Sequence, residues 1–125
     1  MSKSIILTKE APAPIGPYNQ AVMAGDTLYV SGQIALDPDG NVIEGGIQKE
    51  TDHVMKNIGK ILEAADMDYS NIVKCTIFIK DMTQFSEINA AYGEYFPENA
   101  PARETVEISR LPKDVNVEIS CIAVR

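Results

Sequence analysis

The chain has 125 residues, 45% hydrophobic and 23% charged, with a formal charge of −7 and a pI near 4.6. That make-up belongs to one globular domain spanning 1–125, long enough to bury a core, and it excludes a fibrous or disordered chain. The acidic balance argues against binding nucleic acid through a broad basic surface, but not against an anionic ligand held by one buried arginine.

Met1 to Thr8 lacks the apolar run of a signal peptide, and no segment approaches membrane-spanning length, so a cytoplasmic protein is expected. Ser4 to Thr8 suits a first strand. Lys9 to Pro17 carries Pro12, Pro14, Gly16 and Pro17. Fixed φ angles and missing donors make this an ordered, irregular loop, closed by Tyr18. Asn19 to Ala24 and Thr27 to Ser31 read as two strands around the turn Gly25-Asp26. Gly32, within Ser31-Gly32-Gln33, marks a bulge, a close approach of backbone to another group, or a simple bend. Asp37-Pro38-Asp39-Gly40-Asn41 is a turn, and Gly45-Gly46 is the next boundary.

From Ile47 the period changes. Ile47, Thr51, Val54, Met55, Ile58, Ile61, Leu62 and Ala65 recur at three- and four-residue spacing, an amphipathic helix of about five turns. His53 falls off the stripe and reads as a surface residue. Asn71 to Lys80 alternates, with Val73, Cys75, Ile77 and Ile79 facing one way and Lys74, Thr76, Phe78 and Lys80 the other. Asp81 is placed as an N-cap, with Gln84 completing a capping box. The second helix carries Phe85, Ile88, Tyr92, Tyr95 and Phe96 on one side and ends at Pro97. Asn89 lies beside that stripe, either half-buried and directed at something or simply exposed, the first reading being preferred. Gly93 costs this helix about 1 kcal/mol relative to alanine. Cys75 and Cys121 sit in apolar runs as free, buried thiols. With His53 the only histidine and no Cys/His cluster at zinc spacing, no metal site is expected.

Two strands close the chain, over 102–108 and 115–124, and read as a hairpin turning at Leu111-Pro112-Lys113-Asp114. In the second, Val115, Val117, Ile119, Cys121 and Ala123 form a continuous apolar face suited to lie under the helices. Asn116, Glu118, Ser120, Ile122 and Val124 face the other way. In the first, Ala102, Val106 and Ile108 share one side, and Arg103, Thr105 and Glu107 the other. Glu104 is an exception on the apolar side that must reach an edge. This parity puts Arg103, Thr105 and Glu118 together on the helix-free face. The order β, ββ, α, β, α, ββ gives an α+β two-layer sandwich, a mixed sheet of about six strands with two helices on one face. A helix-free face that mixes Ile122, Val124 and Phe78 with Arg103 and Glu118 suits contact between subunits, so an oligomer is expected. Hairpin pairing sets Glu118 opposite Glu107 with Arg103 about 13 Å along the strand, so a bulge or a second subunit is needed to bring the two charges to one ligand.

A guanidinium fork matches a carboxylate, and a nearby carboxylate can hold or deprotonate a water. Tyr18, at the end of a rigid loop, can donate its phenol or close a pocket. Arg103, Glu118 and Tyr18 together suit addition of water to an activated carbon of a small carboxylate-bearing molecule. Interface ion pairing accounts for Arg103 and Glu118 equally well. A serine–histidine triad would have to use His53, and no glycine-rich phosphate loop of the expected pattern is present.

Four segments in order, Ala13-Pro14-Ile15-Gly16-Pro17-Tyr18, Val30-Ser31-Gly32-Gln33-Ile34, Ala100-Pro101-Ala102-Arg103, and Arg110-Leu111-Pro112-Lys113-Asp114 leading to Val117-Glu118-Ile119, resemble the Rid/YjgF family, specifically its RidA-type enamine/imine deaminases. The resemblance covers nearly the whole chain. It implies a chorismate-mutase-like fold and a homotrimer, helices outward, with sites in clefts between subunits. It implies a 2-iminobutyrate/2-iminopropionate deaminase, hydrolysing imines released as enamines by pyridoxal-phosphate-dependent dehydratases to 2-oxo acids and ammonia. By the same resemblance Arg103 binds the substrate carboxylate, Glu118 positions the attacking water, Tyr18 is the pocket tyrosine, and Ser31, Gly32 and Asn89 line the pocket. No cofactor or metal is implied. Thr105 stands where this group usually has cysteine, and its hydroxyl can still hydrogen-bond a ligand. Glu104 replaces a usually small residue, and Ser120 a common second glutamate. Two other functions compete: a non-catalytic trimeric binder of small 2-oxo carboxylates, and an endoribonuclease or translation inhibitor, which the acidic balance disfavours.

Overall fold

The alternating segments pair into a single sheet, and the two helical segments pack on one face of it. In the computed structural model, which describes residues 2–125, the order is β1 (Lys3–Ile6), β2 (Ala21–Ala24), β3 (Thr27–Gln33), α1 (Ile47–Ala64), β4 (Ile72–Ile79), α2 (Phe85–Gly93), β5 (Ala102–Glu107) and β6 (Val117–Val124). Across the sheet the strands run β1-β2-β3-β6-β4-β5. β6 lies antiparallel to both β3 and β4, so those two are parallel to each other. β4 and β5 pair in parallel with α2 as the crossover a parallel pair requires. The expected sandwich of six mixed strands under two helices is the fold observed.

The final two strands are not a hairpin. β4 separates β5 from β6, and the connection passes through a 3₁₀ turn at Pro112–Asp114 with Lys113 and Asp114 at positive φ. The expected faces of β5 change with it. Arg103 pairs with Cys75, Thr105 with Ile77 and Glu107 with Ile79, and the three β4 partners point into the helix-covered core. Arg103, Thr105 and Glu107 therefore face the helices. Glu104 and Val106 face away, opposite Thr76 and Phe78. Glu104 is then no exception: on the helix-free face it pairs with Lys74 at 3.1 Å and accepts a hydrogen bond from Thr76.

The core joins Val54, Met55, Ile58, Ile61 and Leu62 of α1 to Leu28, Ile77, Ile79, Val117 and Ile119 of the sheet. Cys75 and Cys121 pair across β4 and β6 as buried free thiols, and burial pushes both thiol pKa values up. Val115 belongs to a separate small cluster with Ile34, Leu36 and Leu111, not to the layer beneath the helices. Val73 is 48% exposed because a register shift between Ile72 and Lys74 turns it out of the expected alternation. Asp81 caps a 3₁₀ turn through Thr83 N at 2.9 Å, and α2 begins only at Phe85. That helix ends at Gly93, well before Pro97, so the glycine sits at a terminus and the expected interior cost does not arise. No helix of the described residues is long and apolar enough to cross a membrane.

Candidate active site

The proline-rich loop is ordered by one buried amide. Gln20 accepts from Thr8 N at 2.8 Å and donates to Thr8 O at 3.0 Å and Pro12 O at 2.9 Å. These bonds satisfy backbone groups that proline-rich chain cannot pair with itself. Tyr18 stands at the loop's end, 45% exposed, with its hydroxyl accepting from Ile15 N at 3.2 Å. Ser31 ties the loop to β3: its N–H donates to Gln20 O at 2.9 Å and its hydroxyl to Asn19 O at 2.6 Å.

Gly32 resolves into a bulge and a close approach at once. The β3–β6 register shifts between Val30 and Gln33. A Cβ at Gly32 would stand 2.7 Å from Cδ of Glu118 and 2.9 Å from its Oε1, so only glycine lets that carboxyl lie across the strand. Glu118 is half-buried, and desolvation alone raises its pKa above the ordinary glutamate value. Tyr18, Ile15, Ser31, Gly32 and Pro112 surround it in a shallow open cleft. Four of the expected site residues, Tyr18, Ser31, Gly32 and Glu118, thus meet at one end of the sheet.

Arg103 and Thr105 are elsewhere. β5 is an edge strand, two positions from β6, and these side chains leave the opposite face. The guanidinium carbon of Arg103 lies 5.1 Å from the centroid of the Tyr92 ring and 5.6 Å from that of Phe85, a cation–π arrangement. Among the described residues no carboxylate forms an ion pair with it. The Thr105 hydroxyl is buried without a hydrogen-bond partner. The Tyr92 hydroxyl also lacks an oxygen or nitrogen partner; its polar neighbour is the Cys75 thiol, and burial raises its pKa. Asn89 is half-buried and, by helical spacing, shares the face of α2 that carries Phe85 and Tyr92. The expectation that Arg103, Thr105 and Glu118 share one face is therefore corrected. One chain carries two separate groups of site residues, on opposite faces and about 10 Å apart across the strands.

Among the described residues no group of three or more histidine, cysteine or acidic side chains is placed to hold a metal. His53 is half-buried, not a surface residue as expected, with Nε2 2.9 Å from Leu36 O. The cation–π shelf beneath Arg103 was also missed by sequence reasoning. Its signal was the strand–helix–strand order from β4 to β5, which favours parallel pairing and so turns Arg103 towards α2.

Residues 8–125 match the family described as Endoribonuclease L-PSP. The chain belongs to that family, the Rid/YjgF proteins. A RutC family protein of Synechocystis sp. is 51% identical over 99% of this chain and 98% of its own length. The 2-iminobutanoate/2-iminopropanoate deaminase of Bos taurus is 44% identical over 98% of this chain and 90% of its own. The crystal structure of E. coli TdcF with bound serine superposes with a TM-score of 0.93 at 39% identity, covering 98% of each chain.

Proposed function

We propose that this Rid protein is a hydrolytic deaminase of small 2-imino acids, working at sites assembled between copies of the chain in a homotrimer. The observation that carries the reading is the complementarity of the two groups. One offers an unpaired guanidinium and an unsatisfied hydroxyl, the other a desolvated carboxyl beside a phenol, and neither is complete alone. The deaminase name of the bovine relative and the serine bound to the E. coli one agree with a small amino or oxo acid as ligand.

In this mechanism Arg103 of one copy grips the substrate carboxylate through its fork, with Thr105 Oγ1 and Asn89 beside it. Glu118 of the neighbour, supported by Tyr18 and the Ser31–Gly32 backbone, takes a proton from water as its oxygen bonds to C2. The C2=N electron pair moves to nitrogen and gives a carbinolamine. That proton passes from Glu118 to the nitrogen and completes the neutral carbinolamine. Glu118 then takes the hydroxyl proton as C2=O forms and hands it to the nitrogen, the C2–N bond breaks, and ammonia and the 2-oxo acid leave. One water is consumed and no electrons are transferred to a third party. A carboxyl with a raised pKa suits both halves of this exchange, because its proton affinity moves towards the working pH.

The test couples a threonine dehydratase to trapping of its imine by semicarbazide. Added protein should lower the trapped fraction in proportion to its concentration. An unchanged fraction defeats the proposal. Binding of 2-oxobutyrate by calorimetry without turnover would favour a non-catalytic binder instead.

A further inference from the structure

Three polar side chains on α1 are not explained by core packing. Glu50, His53 and Asn57 follow one another at i, i+3 and i+7, which places them on one stripe of the helix. Glu50 is only 7% exposed and Asn57 3%. All three reach main-chain groups of other segments. Oε2 of Glu50 accepts from Asn116 N at 2.8 Å and Val117 N at 3.1 Å, while Oε1 accepts from Asn116 Nδ2 at 2.8 Å. Asn57 Nδ2 donates to Ile34 O at 3.1 Å and Leu36 O at 3.0 Å, and His53 Nε2 meets that same Leu36 oxygen at 2.9 Å.

The segments held this way flank the close approach in the cleft. Residues 116–117 lead directly into Glu118, and residues 34–36 follow directly from Gly32-Gln33. Upstream of Glu118 the chain also carries Lys113 at φ 56° and Asp114 at φ 55°. Non-glycine residues hold that conformation only where their surroundings over-determine it. Arg110 clamps Asp114 at 2.7 Å on one side of the turn, and Glu50 grips the chain on the other. A buried carboxylate accepting three hydrogen bonds at a strand entry is a stronger fixture than van der Waals packing alone.

We propose that Glu50 is a positioning residue for Glu118: its buried carboxylate fixes the entry of β6 so that the Glu118 carboxyl lies across Gly32 in the cleft, with Asn57 holding the opposite wall. This rests on the reading that Glu118 handles protons in deamination. The desolvation of Glu118 is then a consequence of where Glu50 holds the strand.

The test uses the full chain with Glu50→Ala and Glu50→Gln. Glu50→Ala should lower kcat on the order of ten- to a hundred-fold through misplacement of the carboxyl, while KM, governed by Arg103, changes by less than about two-fold. In the same variant the side-chain carboxyl carbon of Glu118, followed by NMR, should titrate closer to the ordinary glutamate range than in the wild type. Glu50→Gln keeps an amide oxygen for Asn116 N and Val117 N and should restore most of kcat and the wild-type titration. Wild-type kcat with an unchanged Glu118 titration in Glu50→Ala overturns the proposal, as does a Glu50→Gln as damaged as the alanine variant. Should Glu50→Ala fail to fold, Glu50→Asp draws the carboxylate back by one methylene from Asn116 N and Val117 N, and a Glu118 titration that does not move there overturns it equally. A wild-type protein without deaminase activity defeats the deaminase reading alone; the titration still decides the role of Glu50.

Discussion

The Arg103 face and the Glu118 cleft take opposite routes to a functional group held ready. Around Glu118 the polar groups are largely satisfied: Gln20 orders the loop, Ser31 closes it against Asn19, and the carboxyl rests on a glycine that leaves it room. Around Arg103 they are left open: among the described residues the guanidinium stacks on Tyr92 and Phe85 without a counter-ion, and Thr105 Oγ1 has no partner. A satisfied region is built for position, and an unsatisfied one for something that arrives later. An unpaired buried hydroxyl carries a desolvation cost of about 1–3 kcal/mol, which a ligand or a neighbouring chain would relieve.

The sharpest way to break this contrast is to separate the halves genetically. Arg103→Ala and Glu118→Ala should each cost at least about a hundred-fold in kcat/KM, since in the proposed mechanism each removes a charged hydrogen bond to substrate or water. Mixed by unfolding and refolding together, the two inactive chains should recover about a quarter of wild-type activity, because random assembly around a closed ring leaves that share of sites with both groups. No recovery would mean that the two side chains act within one chain, and the intersubunit site would be lost. A light-scattering mass of one chain at micromolar concentration would remove it as directly.

Gly32 probes the positional half. Gly32→Ala places a methyl 2.7 Å from the Glu118 carboxyl carbon, and the flexible side chain can swing aside. Stability should therefore change little, while kcat falls on the order of ten- to a hundred-fold from misplacement. Gly59→Ala is the matched control, since its methyl would meet the Tyr69 hydroxyl at 2.2 Å, outside the residues that surround Glu118. That substitution should lower the melting temperature through overpacking worth about 1–3 kcal/mol. Equal effects of the two on melting would show that Gly32 is a packing residue only.

How much of this was legible in the sequence follows from which signals are local. The alternation of Val117, Ile119, Cys121 and Ala123 against Glu118 and Ser120 fixed the faces of β6, because that strand is central and one face is buried along its whole length. β5 gave no such signal. It is an edge strand with no fully buried residue, and its helix-side positions hold Arg103 and Glu107 at the rim of the core. Apolar and polar types there are not dictated by a buried face, so parity pointed the wrong way. The hairpin reading failed for a related reason: short separation favours local pairing, whereas β6 inserts between β3 and β4 through contacts that no local pattern encodes. Glu50 and Asn57 were hidden because a buried polar residue on a helix looks like an exposed one until its partners are known.

Thr105 probes the unsatisfied half. Thr105→Val is nearly isosteric and deletes a hydroxyl that has no partner in the free chain. Stability should hold or rise slightly, since no hydrogen bond is lost. If the hydroxyl meets substrate, KM should rise by about three- to tenfold, a neutral hydrogen bond's worth, with kcat nearly unchanged. Unaltered kinetics would leave the hydroxyl to the subunit contact.

The smallest effect expected is one of stability. Desolvation raises the folded-state pKa of Glu118, so between its unfolded and folded values the native chain binds more protons than the unfolded one. By linkage, stability then falls as pH rises through that window, and the loss persists at higher pH. Glu118→Gln removes the titration, so the variant should melt at or slightly above the wild-type temperature at pH 7 and lose that advantage below the ordinary glutamate range. Half of the side chain's surroundings is solvent, which screens the effect and keeps the shift small. A wild-type protein that instead gains stability relative to Glu118→Gln as pH rises would mean that the carboxylate has a cationic partner in the assembled protein. Arg103 of a neighbouring copy, which forms no ion pair among the described residues, is the cation that the proposed intersubunit site would bring there, and that site would then be an ion pair until substrate parts it.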